Sequence, residues 1–343
     1  MKKPKQRVEQ TPDESICVFG AGVLLKHLQA FAEEVEGVRE GAEDIEFIHR
    51  ARVASRRLRA TLPLFAGCLP EKKSARWVKE IRAVTRALGA ARDTDVQLER
   101  VQAFAKGLTE RQHKPGIRRL GLRLRQQRVR VQPAVIKAMD VLNEDKTLLK
   151  MRELLEPLEQ RKESVYVFTP ALYQHSFQAV QGRLEDFLAY DEIVFQPEKA
   201  QELHEMRIAA KWLRYTMEAF APLYANELKP QLSAVRKAQD LLGEIHDCDV
   251  WLEFLPRFLE EERQRTVDFY GTETPYRVLG PGIRLFEEDR RKARQAYYED
   301  FVCHWQGWQE EELWNALRGT IQAPFFQSER IFPPLKTSEA GQD

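Results

Sequence analysis

Residues 49–59 read HRARVASRRLR, and residues 204–214 read HEMRIAAKWLR, the same pattern displaced by 155 positions. Further along, LGAARDTDV at 88–96 returns as LGEIHDCDV at 242–250, displaced by 154. PGIR at 115–118 returns at 281–284, displaced by 166. Three matches in one order and at nearly one spacing mark an internal duplication. The chain therefore reads as one region over 15–320, made of a unit at about 20–150 and a second at about 170–320, with irregular tails at 1–14 and 324–343.

Apolar residues recur at helical spacing within both units. Examples are Val23, Leu24, Leu28, Phe31 and Val35 in the first, and Leu232, Val235, Ala238, Leu241 and Leu242 in the second. Strand-like alternation is hard to find, and Pro- or Gly-containing breaks leave segments of helical rather than strand length. The fold class expected is all-α: two four-helix bundles, each with its own core, related by pseudo-twofold symmetry.

Lys and Arg number 54 against 53 Asp and Glu, a net charge of +1, so the chain is not globally basic. Net charge says nothing of distribution, however. Residues 111–130 hold eight Lys or Arg and no acid, and the acidic excess lies elsewhere, as at 33–46 and 253–262. The four cysteines, Cys17, Cys68, Cys248 and Cys303, show no paired spacing, which speaks against a disulfide framework or a Cys-rich metal site and for reduced thiols. The N-terminus has no apolar run after its basic residues, and no stretch of 18 apolar residues occurs, so no membrane partner is expected.

Within the first copy, His49, Arg52, Arg56 and Arg59 stand at i, i+3, i+7 and i+10. On a helix they occupy an arc of about 80° along ~15 Å. His204, Arg207, Lys211 and Arg214 repeat the arrangement, and Arg125, Arg128, Arg291 and Arg294 form a second, similarly spaced set. Aligned like charges destabilise a helix by a few tenths of a kcal/mol per pair. Acidic side chains on neighbouring helices could neutralise them, but the duplication of the whole stripe favours a functional reason. Arg in such rows suits forked hydrogen bonding to phosphate oxygens.

Each D-x-D pair, Asp93/Asp95 and Asp247/Asp249, could hold a cation, act in catalysis, cap a helix or hold Arg side chains. The structural roles are preferred, because one pair per unit with no third acid is a weak metal signal. The Leu-Gly before each pair reads as a helix end or bend. His49 and His204 among Arg residues are better placed to donate to an anion than to hold a metal.

H-x-x-R-x-x-x-R-R-x-R followed by L-G-x-x-R-D-x-D-V resembles the CHAD family, the conserved histidine α-helical domain, here as a stand-alone member; the second copy resembles the C-terminal half of that domain. The resemblance covers about 15–320. It implies two four-helix bundles with basic side chains between them, binding of inorganic polyphosphate and, for some members, residence at polyphosphate granules. The phosphate contacts it implies are His49, Arg52, Arg56 and Arg59 with His204, Arg207, Lys211 and Arg214, and then Arg125, Arg128, Arg291 and Arg294. Departures are Lys211 opposite Arg56, Trp212 opposite Arg57, His246 opposite Arg92, and Pro63 late in the stripe helix.

The resulting expectation is a non-catalytic cytoplasmic binder of inorganic polyphosphate, with no cofactor and no metal. A metal-dependent phosphohydrolase using the His and D-x-D residues is the first alternative. It lacks a nucleophile motif, a Gly-rich phosphate loop and an adequate ligand cluster. A helical module for nucleic acid or acidic proteins is the second. Nucleic acid is disfavoured because no aromatic stacking platform interleaves the Arg rows in the sequence reading.

Overall fold

The computed structural model describes residues 13–39 and 46–331, and these form ten α-helices with no strand. The first five are α1 (Glu14–Arg39), α2 (Glu46–Thr61), α3 (Glu71–Lys106), α4 (Lys114–Glu144) and α5 (Thr147–Gln160). The second five are α6 (Pro170–Leu188), α7 (Ala200–Phe220), α8 (Lys229–Tyr270), α9 (Gly280–Glu310) and α10 (Leu313–Ile331). Each half thus carries a fifth helix beyond the four expected. The helix α10 runs to Ile331, past the start of the C-terminal tail expected at 324; residues 1–12 and 332–343 lie outside the described residues.

Local chemistry places the boundaries. Pro63 ends α2, and the chain continues as a 3-10 turn over Leu62–Cys68. Thr169 caps α6, its hydroxyl accepting from the Leu172 N–H at 3.2 Å, with Pro170 at the first helical position. Gly271, at φ 69°, ends α8 in the left-handed conformation. The turns α4–α5 and α9–α10 are alike: Lys146 and Glu312 both adopt φ 50°, and each then accepts the first hydrogen bond of the next helix, from Lys150 and Ala316. The Leu-Gly segments are not helix ends. Gly89 and Gly243 sit inside the continuous helices α3 and α8, where packing overrides the ~1 kcal/mol helix penalty of a mid-helix glycine.

The two halves do not keep separate cores. Leu24, Phe31, Leu58 and Leu88 of the first half belong to the same buried apolar cluster as Val180, Leu213, Phe220 and Trp305 of the second. The junction is aromatic, with Phe220 stacked on Phe19 at 6.0 Å and tilted against Phe65 at 5.7 Å. This fusion follows from α1 packing on α6 and α2 on α7, which brings an apolar face of each half onto the other. A second cluster joins Val101, Leu120 and Leu124 to Trp251, Phe258 and Phe286, again across the halves. Beside it the carboxylate of Glu262, with no solvent exposure, accepts from Arg119 at 2.9 Å, Arg123 at 2.6 Å and Arg265 at 2.6 Å.

Cys17 and Cys68 form a disulfide, which corrects the expectation of four reduced thiols. Their sequence separation of 51 hid the pairing: α1 packs along the 3-10 turn, so the two Cα atoms lie 5.2 Å apart. Cys248 and Cys303 are free. Among the described residues α1 alone is long and apolar enough to cross a bilayer, with a mean hydropathy of 1.4 over 18 residues. One face of it (Val18, Leu24, Leu28, Phe31) is buried in the shared core.

Candidate anion-binding site

The stripe helices α2 and α7 pack directly against each other. Their apolar positions (Ile48, Ala51, Ala54, Leu58 and Leu203, Met206, Ala210, Leu213) enter the core, which leaves the charged faces side by side at one seam. Arg52, Arg56 and Arg59 all act electrostatically on Lys211, as does Arg207 of its own helix. Burial first, and then these four cations, push the Lys211 ammonium from 10.5 down to about 8. Burial likewise lowers the Arg56 guanidinium, with Arg52, Arg214 and Arg207 adding to the effect and the Tyr215 phenol opposing it.

Few carboxylates answer this charge. Arg52 pairs with Asp93 at 3.1 Å, and Arg214 lies 3.5 Å from Glu218, which also meets Arg57 at 3.4 Å and Arg236 at 3.8 Å. Arg56, Arg59 and Lys211 have no carboxylate partner among the described residues, and Arg207 makes no ion pair there, its electrostatic partner being Asp247. Arg59 instead faces two further cations, Arg82 and Arg86 of α3, which with burial lower its pKa.

Buried polar atoms without partners gather at the same seam. They include Nδ1 of His49 and of His204, Nε of Arg56 and of Arg214, and the hydroxyl of Tyr215. Tyr215 is 2% exposed and Arg214 9%. Buried polar atoms of this kind are rare in folded proteins, and a ligand that meets them gains the hydrogen bonds they offer. Burial and the neighbouring cationic groups hold both imidazoles below their ordinary range. The His204 ring lies 3.9 Å from that of His246, which burial, His204 and Arg207 push down to about 4. A cavity of about 370 Å³ opens beside them, lined by Arg52 and Asp93 from one half and His204, Arg207, His246 and Asp247 from the other.

The D-x-D acids hold arginines. The first acid of each pair faces the seam: Asp93 binds Arg52, and Asp247 is stabilised as an anion chiefly by Arg207, although burial raises its pKa overall. The second acid faces away from it: Asp95 accepts from Arg128 at 2.7 Å, and Asp249 accepts from Arg294, whose Nη2 also donates to the Pro197 carbonyl at 2.8 Å. Arg128 and Arg294 are therefore neutralised from within, and Arg291 pairs with Glu287 at 2.9 Å, so these three do not add free charge to the seam. Arg125 is exposed on α4 and has no carboxylate partner among the described residues. No group of three or more His, Cys, Asp or Glu side chains among the described residues could hold a metal ion.

Sequence reading missed the aromatic rings. Tyr215 lies between Arg56 and Arg214, at 5.4 and 5.0 Å from their guanidinium carbons. Trp212 is surrounded by Arg59 at 5.7 Å, Arg183 at 5.7 Å and Lys211 at 6.0 Å. Aromatic faces do interleave the Arg rows, contrary to the expectation. The available signal was the replacement of Arg57 by Trp212 in the second copy, which reads as a weakness of the stripe when charge alone is counted.

The sequence model of the CHAD domain matches residues 22–256, more than half of the chain. This chain belongs to the CHAD domain family. The crystal structure of the CHAD domain from the plant Ricinus communis is similar at a TM-score of 0.62 and 21% identity, covering 89% of this chain and 96% of that one. PptA from Streptomyces chartreusis is similar at a TM-score of 0.56 and 17% identity, covering 84% of this chain and 98% of that one. The likeness to the Ricinus communis domain covers a larger share of the chain than the sequence match does. No curated protein matches this CHAD chain.

Proposed function

We propose that this CHAD protein binds inorganic polyphosphate along the α2–α7 seam and does not turn it over. The observation that carries this reading is the meeting of Arg56, Arg59, Arg207 and Lys211 at one helix crossing, where Arg56, Arg59 and Lys211 have no carboxylate partner among the described residues and Arg207 has only Asp247. Clustered, partly buried cations repel one another and lose hydration. A linear polyanion offsets both costs along the length of the seam, and it needs no base or side-chain recognition to do so. The unpartnered polar groups of His49, Arg56 and Tyr215 supply hydrogen bonds to phosphate oxygens at the same place.

The test is titration of the protein with polyphosphate of defined length over a range of salt. The expected result is affinity that falls steeply with salt, as released counterions dictate. Arg56→Gln with Arg207→Gln should weaken binding by at least roughly tenfold, since each charged hydrogen bond is worth about 1.5–3 kcal/mol. Unchanged affinity in that variant, with helical circular dichroism retained, overturns the assignment of the seam. Release of orthophosphate in the presence of Mg²⁺ or Mn²⁺ overturns the non-catalytic part.

A further inference from the structure

Trp212 stands where the first copy carries Arg57. A ridge that met only a polyanion would gain nothing by exchanging a cation for an indole. The ring is partly exposed, and three cations surround it, of which Arg59 and Lys211 belong to the seam. Partners in van der Waals contact with a ring face lie about 3.5–4.0 Å from it. The three cations lie over the indole at 5.7 to 6.0 Å from its centroid, beyond van der Waals contact, so a base that stacks there takes the place of these more distant partners. An aromatic face beside a row of unneutralised cations is the arrangement that takes a base and its phosphates together, since stacking is available to every base.

The other rings at the seam are occupied. Tyr215 is buried, and the His204 and His246 rings lie against each other. One partly exposed platform takes one base, whereas a nucleic-acid strand needs a succession of them. From Arg59 back to Arg52 the stripe runs on for about 10 Å of helix axis, a length suited to several phosphates and not to one.

Resting on the polyphosphate reading of the same seam, we propose that the ligand class extends to nucleoside 5′-oligophosphates, with the base stacked on Trp212 and the phosphates lying along Arg59, Lys211, Arg56 and Arg207. The competing role for Trp212 is support of the neighbouring cations through their attraction to the ring. That role would affect all polyanions alike and confer no preference for a base.

The experiment compares adenosine 5′-tetraphosphate with inorganic tetraphosphate by calorimetry, on the wild-type protein, Trp212→Ala and Trp212→Phe. The inorganic ion carries the greater charge, so electrostatics alone ranks it first. The expected result is the reverse order in the wild type, with adenosine tetraphosphate bound roughly tenfold tighter. That advantage should vanish in Trp212→Ala and return in part in Trp212→Phe. Tighter binding of the inorganic ion by the wild type, or an adenosine advantage that survives Trp212→Ala, overturns the proposal while leaving polyphosphate binding standing. Binding of neither compound, together with failure to bind long-chain polyphosphate, overturns both.

Discussion

Gly116 and Gly282 hold reciprocal positions across the molecule. A Cβ on Gly116 would lie 2.2 Å from the Leu279 carbonyl oxygen, and one on Gly282 would lie 2.0 Å from that of His113. Both obstacles are backbone, at the start of the opposite helix. The duplicated PGIR segments are thus a crossing of α4 and α9 at which only glycine fits. Gly116→Ala or Gly282→Ala should destabilise the fold by about 1–3 kcal/mol, the range for overpacking. The double substitution should cost less than the two singles together, because one displacement of the crossing relieves both clashes. Denaturant unfolding of the three variants measures this.

Asp93 and Asp95 should respond in opposite ways to loss of the carboxylate. The Asp93 side chain is 66% exposed and restrains Arg52 at the edge of the seam. Asp93→Ala should leave stability nearly unchanged, as for most surface pairs, and should tighten polyphosphate binding by freeing a cation. Asp95 is buried against Arg128, so Asp95→Ala strands a partly buried charge and should cost about 3–5 kcal/mol. Thermal melts and polyphosphate titrations of both variants separate the two roles.

Lys211 sets a pH dependence. Its ammonium titrates near 8 in the fold against 10.5 ordinarily, so between these values the unfolded chain holds more protons than the folded one. Stability of the empty protein should therefore rise with pH across that window. A bound polyanion keeps the ammonium charged, so affinity should fall as pH passes about 8. Lys211→Arg should flatten both profiles, since a guanidinium keeps its proton throughout. Melting temperatures and calorimetric titrations from pH 7 to about 10 provide the check.

The Cys17–Cys68 bridge closes a loop with a sequence separation of 51. Chain-entropy reasoning gives such a loop about 4 kcal/mol of stabilisation at most. Reduction, or Cys17→Ser, should lower the melting temperature while leaving polyphosphate affinity nearly unchanged, because neither sulfur lies at the seam. Mass spectrometry of unreduced peptides from cells reports whether the bridge forms there. A bridge present in cells counts against a reducing cytoplasm as the resident compartment.

Periodicity and repetition were legible because they are local or self-referential. The spacing of Leu24, Leu28 and Phe31 states a helix, and the second HxxR segment states that the stripe occurs twice. The pairing of α2 with α7 was foreshadowed by the same duplication. What could not be read depends on contacts between distant segments. The Cys17–Cys68 approach, the fusion of two cores around Phe19 and Phe220, and the capture of Arg128 by Asp95 all arise from packing. The D-x-D acids read as helix caps or as holders of arginines, and which of these they are, and which arginine each one holds, appears only when α3 lies beside α4 and α8 beside α9. Trp212 was visible throughout; its value depends on Arg183, which arrives from another helix.

The like-charged seam also bears on how long the molecule survives. Whatever binds the folded chain and not the unfolded one adds stability by mass action, and here the gain includes relief of a repulsion present at rest. On the proposed reading, the protein without its anion should open more readily at α2 and α7 and be cut there faster by a protease than the protein saturated with polyphosphate. Limited proteolysis with and without the polymer reads that difference as a change in cleavage rate.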